Sequence, residues 1–422
     1  MGKETHDQMR IGWIDFSKDE RDKALGILHL LQEQGAVDEL GIGIVRDAFA
    51  DTFFPGTSTL ITRAKYYVVV PYIIQEGVSE GLRRGWTAKV TMGWINGEER
   101  KLGERLYRLH AGERESGIIG QMALAHKGWV KRSPSELYWN GIRRFGICGE
   151  SELSLAQYIE GALAVGRSRG WGLGTEFAGE ENEGDDIDAG RVLRLKPFDI
   201  RAIYRKTWRC DVDITLRRDE AFYLRDKICG SIDGSVFSCA LRNHINLKKH
   251  NGDFESFSQE MSRYVDASNV TRLRLAVAFM KVVYLARVRY NAILQGERSG
   301  EAVQRWNAFG DWSGCPDRDM MIEILRSLEL YGRPQYARLQ RFLLDLVEML
   351  PEARRSPACW DELIRRRETE IKGASRAKLA HPEKYSADNW VGGKLLEYRL
   401  RDAARILDDI YEGLEVGDVQ TK

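Results

Sequence analysis

Residues 38–74 read DELGIGIVRDAFADTFFPGTSTLITRAKYYVVVPYII. Val45, Ala48 and Phe49 recur at helical spacing, which predicts a short amphipathic helix from about Gly43 to Phe53, stopped by Pro55-Gly56. Thr57, Ser58 and Thr59 offer hydroxyls to cap a second helix, with Leu60, Ala64, Tyr67, Val68 and Pro71 on one face. Proline has no N–H and crowds the preceding turn, so Pro71 should kink that helix or end it near Val70. A helix, a tight Phe-Pro-Gly corner and a buried helix are expected here, and this unit sets a mainly α reading for the chain around it.

Toward the N-terminus, Ala24, Ile27, Leu28 and Leu31 predict a helix over Lys18 to Gln34, capped by Ser17 and stopped by Gly35. Toward the C-terminus, residues 76–117 turn polar and predict one or two charged surface helices, with Trp86 and Trp94 packing against something. Ser133-Pro134-Ser135-Glu136 is a helix start: a capping serine, proline at the first helical position and glutamate three after the cap. That helix should reach Arg144 and stop near Gly146, and another should run from Leu153 to Val165. The acidic, glycine-rich tract from Glu176 to Asp188 predicts a flexible loop. Residues 191–250 mix strand and helix signals around a helical piece from Thr215 to Ile228. Ser256 to Gly296 reads as long and helical, and Leu275 to Met280 is apolar nearly all round, as in the central helix of a bundle. Further helices are predicted over Met320–Leu330, Tyr336–Leu350, Pro357–Arg367 and Gly393–Leu414.

The expected architecture is therefore mainly α and multi-helical, in two or three domains, with a small mixed α/β middle segment and a C-terminal helical bundle. Its parts would be an N-terminal helical domain over residues 1–175, the acidic loop at 176–190, the mixed segment at 191–255 and the bundle at 256–422. Two or three domains also follow from 422 residues, too many for one ordinary core. With 43% hydrophobic and 30% charged residues the chain is globular. Sixty-four Lys and Arg against 63 Asp and Glu leave it nearly neutral, so attraction to nucleic acid must come from local patches. No secretory signal opens the sequence, and charges interrupt the apolar run from Leu273 to Leu294, so a cytoplasmic protein with no membrane partner is expected. The six cysteines form no CxxC pair, which argues for structural thiols rather than zinc ligands.

Trp13-Ile14-Asp15-Phe16-Ser17, Gly43 to Asp51, and Phe54-Pro55-Gly56-Thr57-Ser58-Thr59 through Val70-Pro71-Tyr72 resemble the signature segments of a bacterial family of unknown function. Tyr138-Trp139 to Gly146-Ile147, Arg272 to Asn291 and Tyr398 to Leu414 resemble it too, so the similarity spans nearly the whole chain. No activity comes with the resemblance. It implies a place beside helicases in bacterial phage-defence gene clusters, and hence helicases or other defence-system proteins as partners.

Known catalytic motifs are missing. Gly393-Lys394 is followed by leucine and preceded by Asp388 where a phosphate-binding loop needs glycine, and neither a nucleophile elbow nor a zinc-protease helix occurs. Asp47 and Asp51, four apart, share a helix face, and with Asp15 they could gather a magnesium ion for phosphodiester hydrolysis. The competing reading pairs Asp47 with Arg46, Arg63 or Lys65. Asp361 with Glu370-x-Lys372 has the letters of a restriction-nuclease site, but those belong on strands and this text is helical. His244 and His250 flank Lys248 and Lys249 and read as surface residues.

The strongest binding signal is the cation-rich stretch around the capped helix. Lys127, Lys131, Arg132, Arg143 and Arg144 face one anion, Glu136, with Trp129, Tyr138 and Trp139 interleaved. Such a composition can meet the phosphates of DNA, with Trp129 or Tyr138 stacking or packing. It equally suits a core helix with buried aromatics and solvated arginines. The later basic run, Arg365 to Lys384, is broken by Glu368, Glu370 and Glu383 and reads as a solvated charged helix. The function expected is a non-enzymatic subunit that binds nucleic acid or a protein partner and needs no cofactor. The alternatives are a magnesium-dependent nuclease built on Asp15, Asp47 and Asp51, or a scaffold that touches no nucleic acid.

Overall fold

Phe54-Pro55-Gly56 turns the chain between two helices, α1 (Gly43–Phe53) and α2 (Tyr66–Arg84), in the computed structural model, which describes residues 38–113, 115–149, 152–169, 197–296, 300–385 and 390–415. The expected opening helix, Asp15 and the acidic tract lie outside the described residues. Gly56 has a φ of +81°, and a Cβ there would come within 2.6 Å of the Phe145 ring, so only glycine lets the corner lie flat on that ring.

Two local expectations fail in α2. Its first turn begins at Tyr66, with no side-chain cap from Thr57, Ser58 or Thr59, and Thr57 Oγ1 instead donates back to the Phe54 carbonyl at 2.7 Å. The helix also does not end near Val70 but continues past Pro71 for another thirteen residues. Tyr66 to Ile74 are all buried, and this packing outweighs the single main-chain hydrogen bond that a proline in the second turn removes.

Around α2 pack α3 (Ala88–Leu109), α5 (Pro134–Arg144) and α6 (Leu155–Arg169), with the short α4 (Gln121–Ala125) against α3. The mixed α/β middle segment is not found. Among the described residues it holds α7 (Arg218–Ser231), α8 (Val236–Arg242) and one isolated antiparallel bridge, Cys148 to Phe198, with no strand. Its strand-like letters mark burial instead: Ile203, Trp208, Val212, Ile214 and Leu216 plug into the core from irregular backbone, and Tyr72 packs against the rings of Tyr204 and Trp208. Buried apolar residues without strict alternation do not specify a ladder.

The long helical region divides into α9 (Phe254–Met261) and α10 (Ala267–Gln295), the latter capped by Asp266. Twenty of the 29 residues of α10 are buried, so it runs as a core helix. Against it lie α11 (Gly300–Ala308), α12 (Arg318–Ser327) and α15 (Ala358–Lys372), with α13 (Ala337–Glu348) and α14 (Leu350–Arg355) beside α12 and α15. The last helix, α16 (Leu400–Glu415), packs on α7. Just before it, Tyr398 and Arg399 both take positive φ, +47° and +65°. Such backbone costs about 1–3 kcal/mol per residue and needs outside support. Tyr398 supplies it by inserting among Phe49, Phe53 and Phe254 and donating to the Ala276 carbonyl at 2.7 Å, and Arg399 by donating to the Thr57 carbonyl at 2.9 Å.

Candidate nucleic-acid interface

Helix α5 starts as its letters predict, with the Ser133 N–H donating to the Glu136 carboxylate at 3.2 Å and Pro134 at the first position. A second carboxylate, unforeseen in the sequence, also serves this end. Glu99 of α3 accepts from the Ser135 N–H at 2.6 Å and from its hydroxyl at 3.2 Å. Glu99 is buried, and loss of solvation pushes its carboxyl up to about 8. The inward face of α5 holds Tyr138, Trp139 and Ile142.

These aromatics do not form a stacking surface. Tyr138 is fully buried: its hydroxyl accepts from the N–H groups of Thr62 and Arg63 at 2.8 and 3.0 Å and donates to the Arg63 carbonyl at 2.9 Å. Trp139 donates from its indole to the Leu153 carbonyl at 2.9 Å, and the half-buried Trp129 lies over Gly103 and Gly120. Packing is thus the role of all three.

The cations divide differently. Arg143 is half-buried, and desolvation lowers its pKa. Lys127, Lys131, Arg132 and Arg144 are exposed, and none of them makes a hydrogen bond or an ion pair among the described residues. Glu136, Asn140 and Arg144 recur every fourth residue and are all exposed, so they form one outward stripe along α5, and Arg132 is exposed in the turn before the helix.

The aspartate grouping is engaged otherwise. Arg46 grips Asp47 with two hydrogen bonds, 2.9 and 3.1 Å, while Arg399 bonds Asp51 and approaches Asp47 at 3.8 Å. Arg63 and Lys65 serve other carboxylates: Arg63 meets Asp409 at 2.9 Å, and Lys65 meets Glu220 at 2.6 Å in a fully buried pair. Among the described residues no three His, Cys, Asp or Glu side chains gather as a metal site would require. Asp361, on α15, holds Arg289 at 2.6 and 2.9 Å.

His250 departs from its surface reading. It is buried, with Nδ1 2.9 Å from the Ser256 hydroxyl and Nε2 2.7 Å from Glu260. This is the connectivity of a hydrolytic serine, but the nearby donors that an oxyanion would need, the N–H groups of Glu255 and Ser256, already serve Asp253. The linkage ties the 247–250 turn to α9. His244 is exposed and lies against Tyr411.

Fold and surface together define a mainly helical protein with a basic edge, unpaired among the described residues, at one capped helix. Residues 9–158, which contain that edge, match a family of unknown function, DUF6361. The Trp13 to Ser17 and Phe54 to Tyr72 segments fall inside the match, whereas Arg272 to Asn291 and Tyr398 to Leu414 lie beyond it. No curated protein and no solved structure matches the chain. No helix among the described residues is long and apolar enough to cross a membrane.

Proposed function

We propose that the chain is a non-enzymatic nucleic-acid-binding subunit whose contact surface is the outer edge of α5 and the turn before it. One observation carries the reading: Lys127, Lys131, Arg132 and Arg144 are exposed and have no partner among the described residues, in a molecule that ties most of its other described arginines to carboxylates or carbonyls. Exposed, uncompensated cations are what a phosphate backbone attracts, through release of its counterions. Asn140 and Glu136 lie on the exposed face of α5 between Arg132 and Arg144 in the chain, where polar side chains would face base edges. The resemblance adds the setting, an assembly with helicase or other defence-system partners. Asp47 and Asp51, both held by arginine, lend no support to a nuclease.

The test is fluorescence anisotropy with a labelled DNA duplex in low salt, comparing the natural protein with a K131A/R132A variant. Binding that falls about tenfold or more in the variant, and that weakens with salt, supports the reading. Unchanged binding, or none by the natural protein, refutes it and leaves a protein scaffold, for which co-purifying partners retained after nuclease treatment would be the sign.

A further inference from the structure

The outward stripe of α5 does not end at Arg144. That side chain forms one wall of a cleft of about 570 Å³ between the end of α1, the turn from α7 to α8 and the start of α10. Asp51, Arg144, Ser231, Asp233, Asp266 and Arg272 line it. The sequence separates Arg272 from Arg144 by more than a hundred residues, and the fold alone brings them to one cleft.

The carboxylates of this cleft are committed, and its two arginines are not. Asp51 is bonded by Arg399. Asp233 is paired with Arg242 and accepts from the Gly234 N–H at 2.8 Å. Asp266 caps α10 by accepting from the Asn269 N–H at 2.7 Å. Arg144, Arg272 and the Ser231 hydroxyl make no hydrogen bond among the described residues. Gly146, at φ +64°, keeps the end of α5 open, because a Cβ there would sit 2.5 Å from the Ser231 oxygen. Two guanidinium groups and a hydroxyl without partners match the acceptor oxygens of a phosphate group, for which arginine supplies paired donors.

The structure assigns this cleft to a phosphodiester of the nucleic-acid backbone, held by Arg144 and Arg272 with the Ser231 hydroxyl donating. This rests on the reading of α5 as a nucleic-acid surface and extends that surface to a second part of the fold. It makes Arg272, on a helix that is otherwise mostly core, a binding residue.

The experiment measures duplex affinity across a salt series for R272A, R272K, K131A/R132A and, as a control, R341A, which removes an exposed cation on α13. R272A should weaken binding about tenfold at low salt and reduce the slope of log affinity against log salt by about 0.9, the share of one phosphate contact. R272K should keep most of the affinity, and R341A all of it. Loss in K131A/R132A with none in R272A overturns the cleft assignment and leaves the α5 surface standing. No loss in either overturns both. Inorganic phosphate is titrated calorimetrically into the natural protein and R272A in parallel. Phosphate binding that R272A abolishes, with duplex affinity unchanged, shows a free-anion site and also overturns the assignment.

Discussion

Between residues 127 and 144, four cations stand exposed and unpaired among the described residues; between residues 365 and 384, a run at least as basic is, apart from Lys384, bonded back into the protein. In the second run, Arg365 donates to the Leu379 carbonyl at 3.1 Å, Arg366 pairs with Asp345 at 3.3 Å, and Arg367 donates to the Leu40 carbonyl at 3.0 Å. Lys372 and Lys378 converge on Glu39 at 3.2 and 2.8 Å. Beneath them, buried Glu368 accepts from Tyr290 at 2.7 Å and from the N–H groups of Lys378 and Leu379 at 3.0 and 2.9 Å. One basic region is therefore a fastening and the other a free surface. The difference teaches that a cation's use is set by whether a carboxylate from elsewhere reaches it, more than by its neighbours in sequence.

The sharpest way to break the comparison is to remove the fastening. Glu368→Ala strips three groups of a buried partner and should destabilise the protein by about 3–5 kcal/mol in denaturant unfolding. Duplex affinity of the folded fraction should not change; if it does, the two regions are coupled and the contrast fails. Next is pH, acting at the root of α5. The Glu99 carboxyl is raised by burial to about 8, so the folded state holds a proton that the unfolded state releases above the ordinary glutamate range. Its contribution to stability is full in acid and is lost as pH rises toward 8, a decline on the order of a few kcal/mol. Thermal unfolding midpoints measured across that window should fall in the natural protein and flatten in Glu99→Gln; parallel slopes would show that Glu99 does not govern them.

Replacing Lys131, Arg132 and Arg144 together with alanine should cost about 2–3 kcal/mol of duplex affinity at low salt, measured by anisotropy, yet shift stability by no more than about 0.5 kcal/mol. A comparable loss of stability would mean that these cations have structural partners after all. The smallest effect is expected from Arg366→Ala, whose exposed pair with Asp345 is worth about 1 kcal/mol or less and should leave duplex affinity untouched. Any marked loss of affinity there would erase the distinction between the two basic runs.

Much of the helical plan was readable in particular residues. Ser133-Pro134-Ser135-Glu136 marked the start of α5, Gly43 to Phe53 marked α1 to the residue, and the apolar run from Leu275 to Met280 marked the buried α10. The failures share a cause. Pro71 was read as a kink or a stop, the stop proving wrong, and the segment around Ile203 and Trp208 as part-strand, because local signals were weighed without the packing that overrode them. Of the candidate interface, the exposed cations were legible and the fate of the aromatics was not, since Tyr138 turns inward to hold the backbone at Thr62 and Arg63.

Sequence alone determined that this is a mainly helical protein, where its capped helix begins, and that no familiar catalytic motif is written into it. Those properties rest on periodicity and capping, which act over a few residues. Only the tertiary structure decided that Lys65 meets Glu220, that Arg63 meets Asp409, that Arg399 occupies Asp51, and that Arg144 and Arg272 share a cleft with free donors. Each of these joins residues more than a hundred positions apart. Burial and charge pairing at that range depend on how helices pack, which no local pattern encodes.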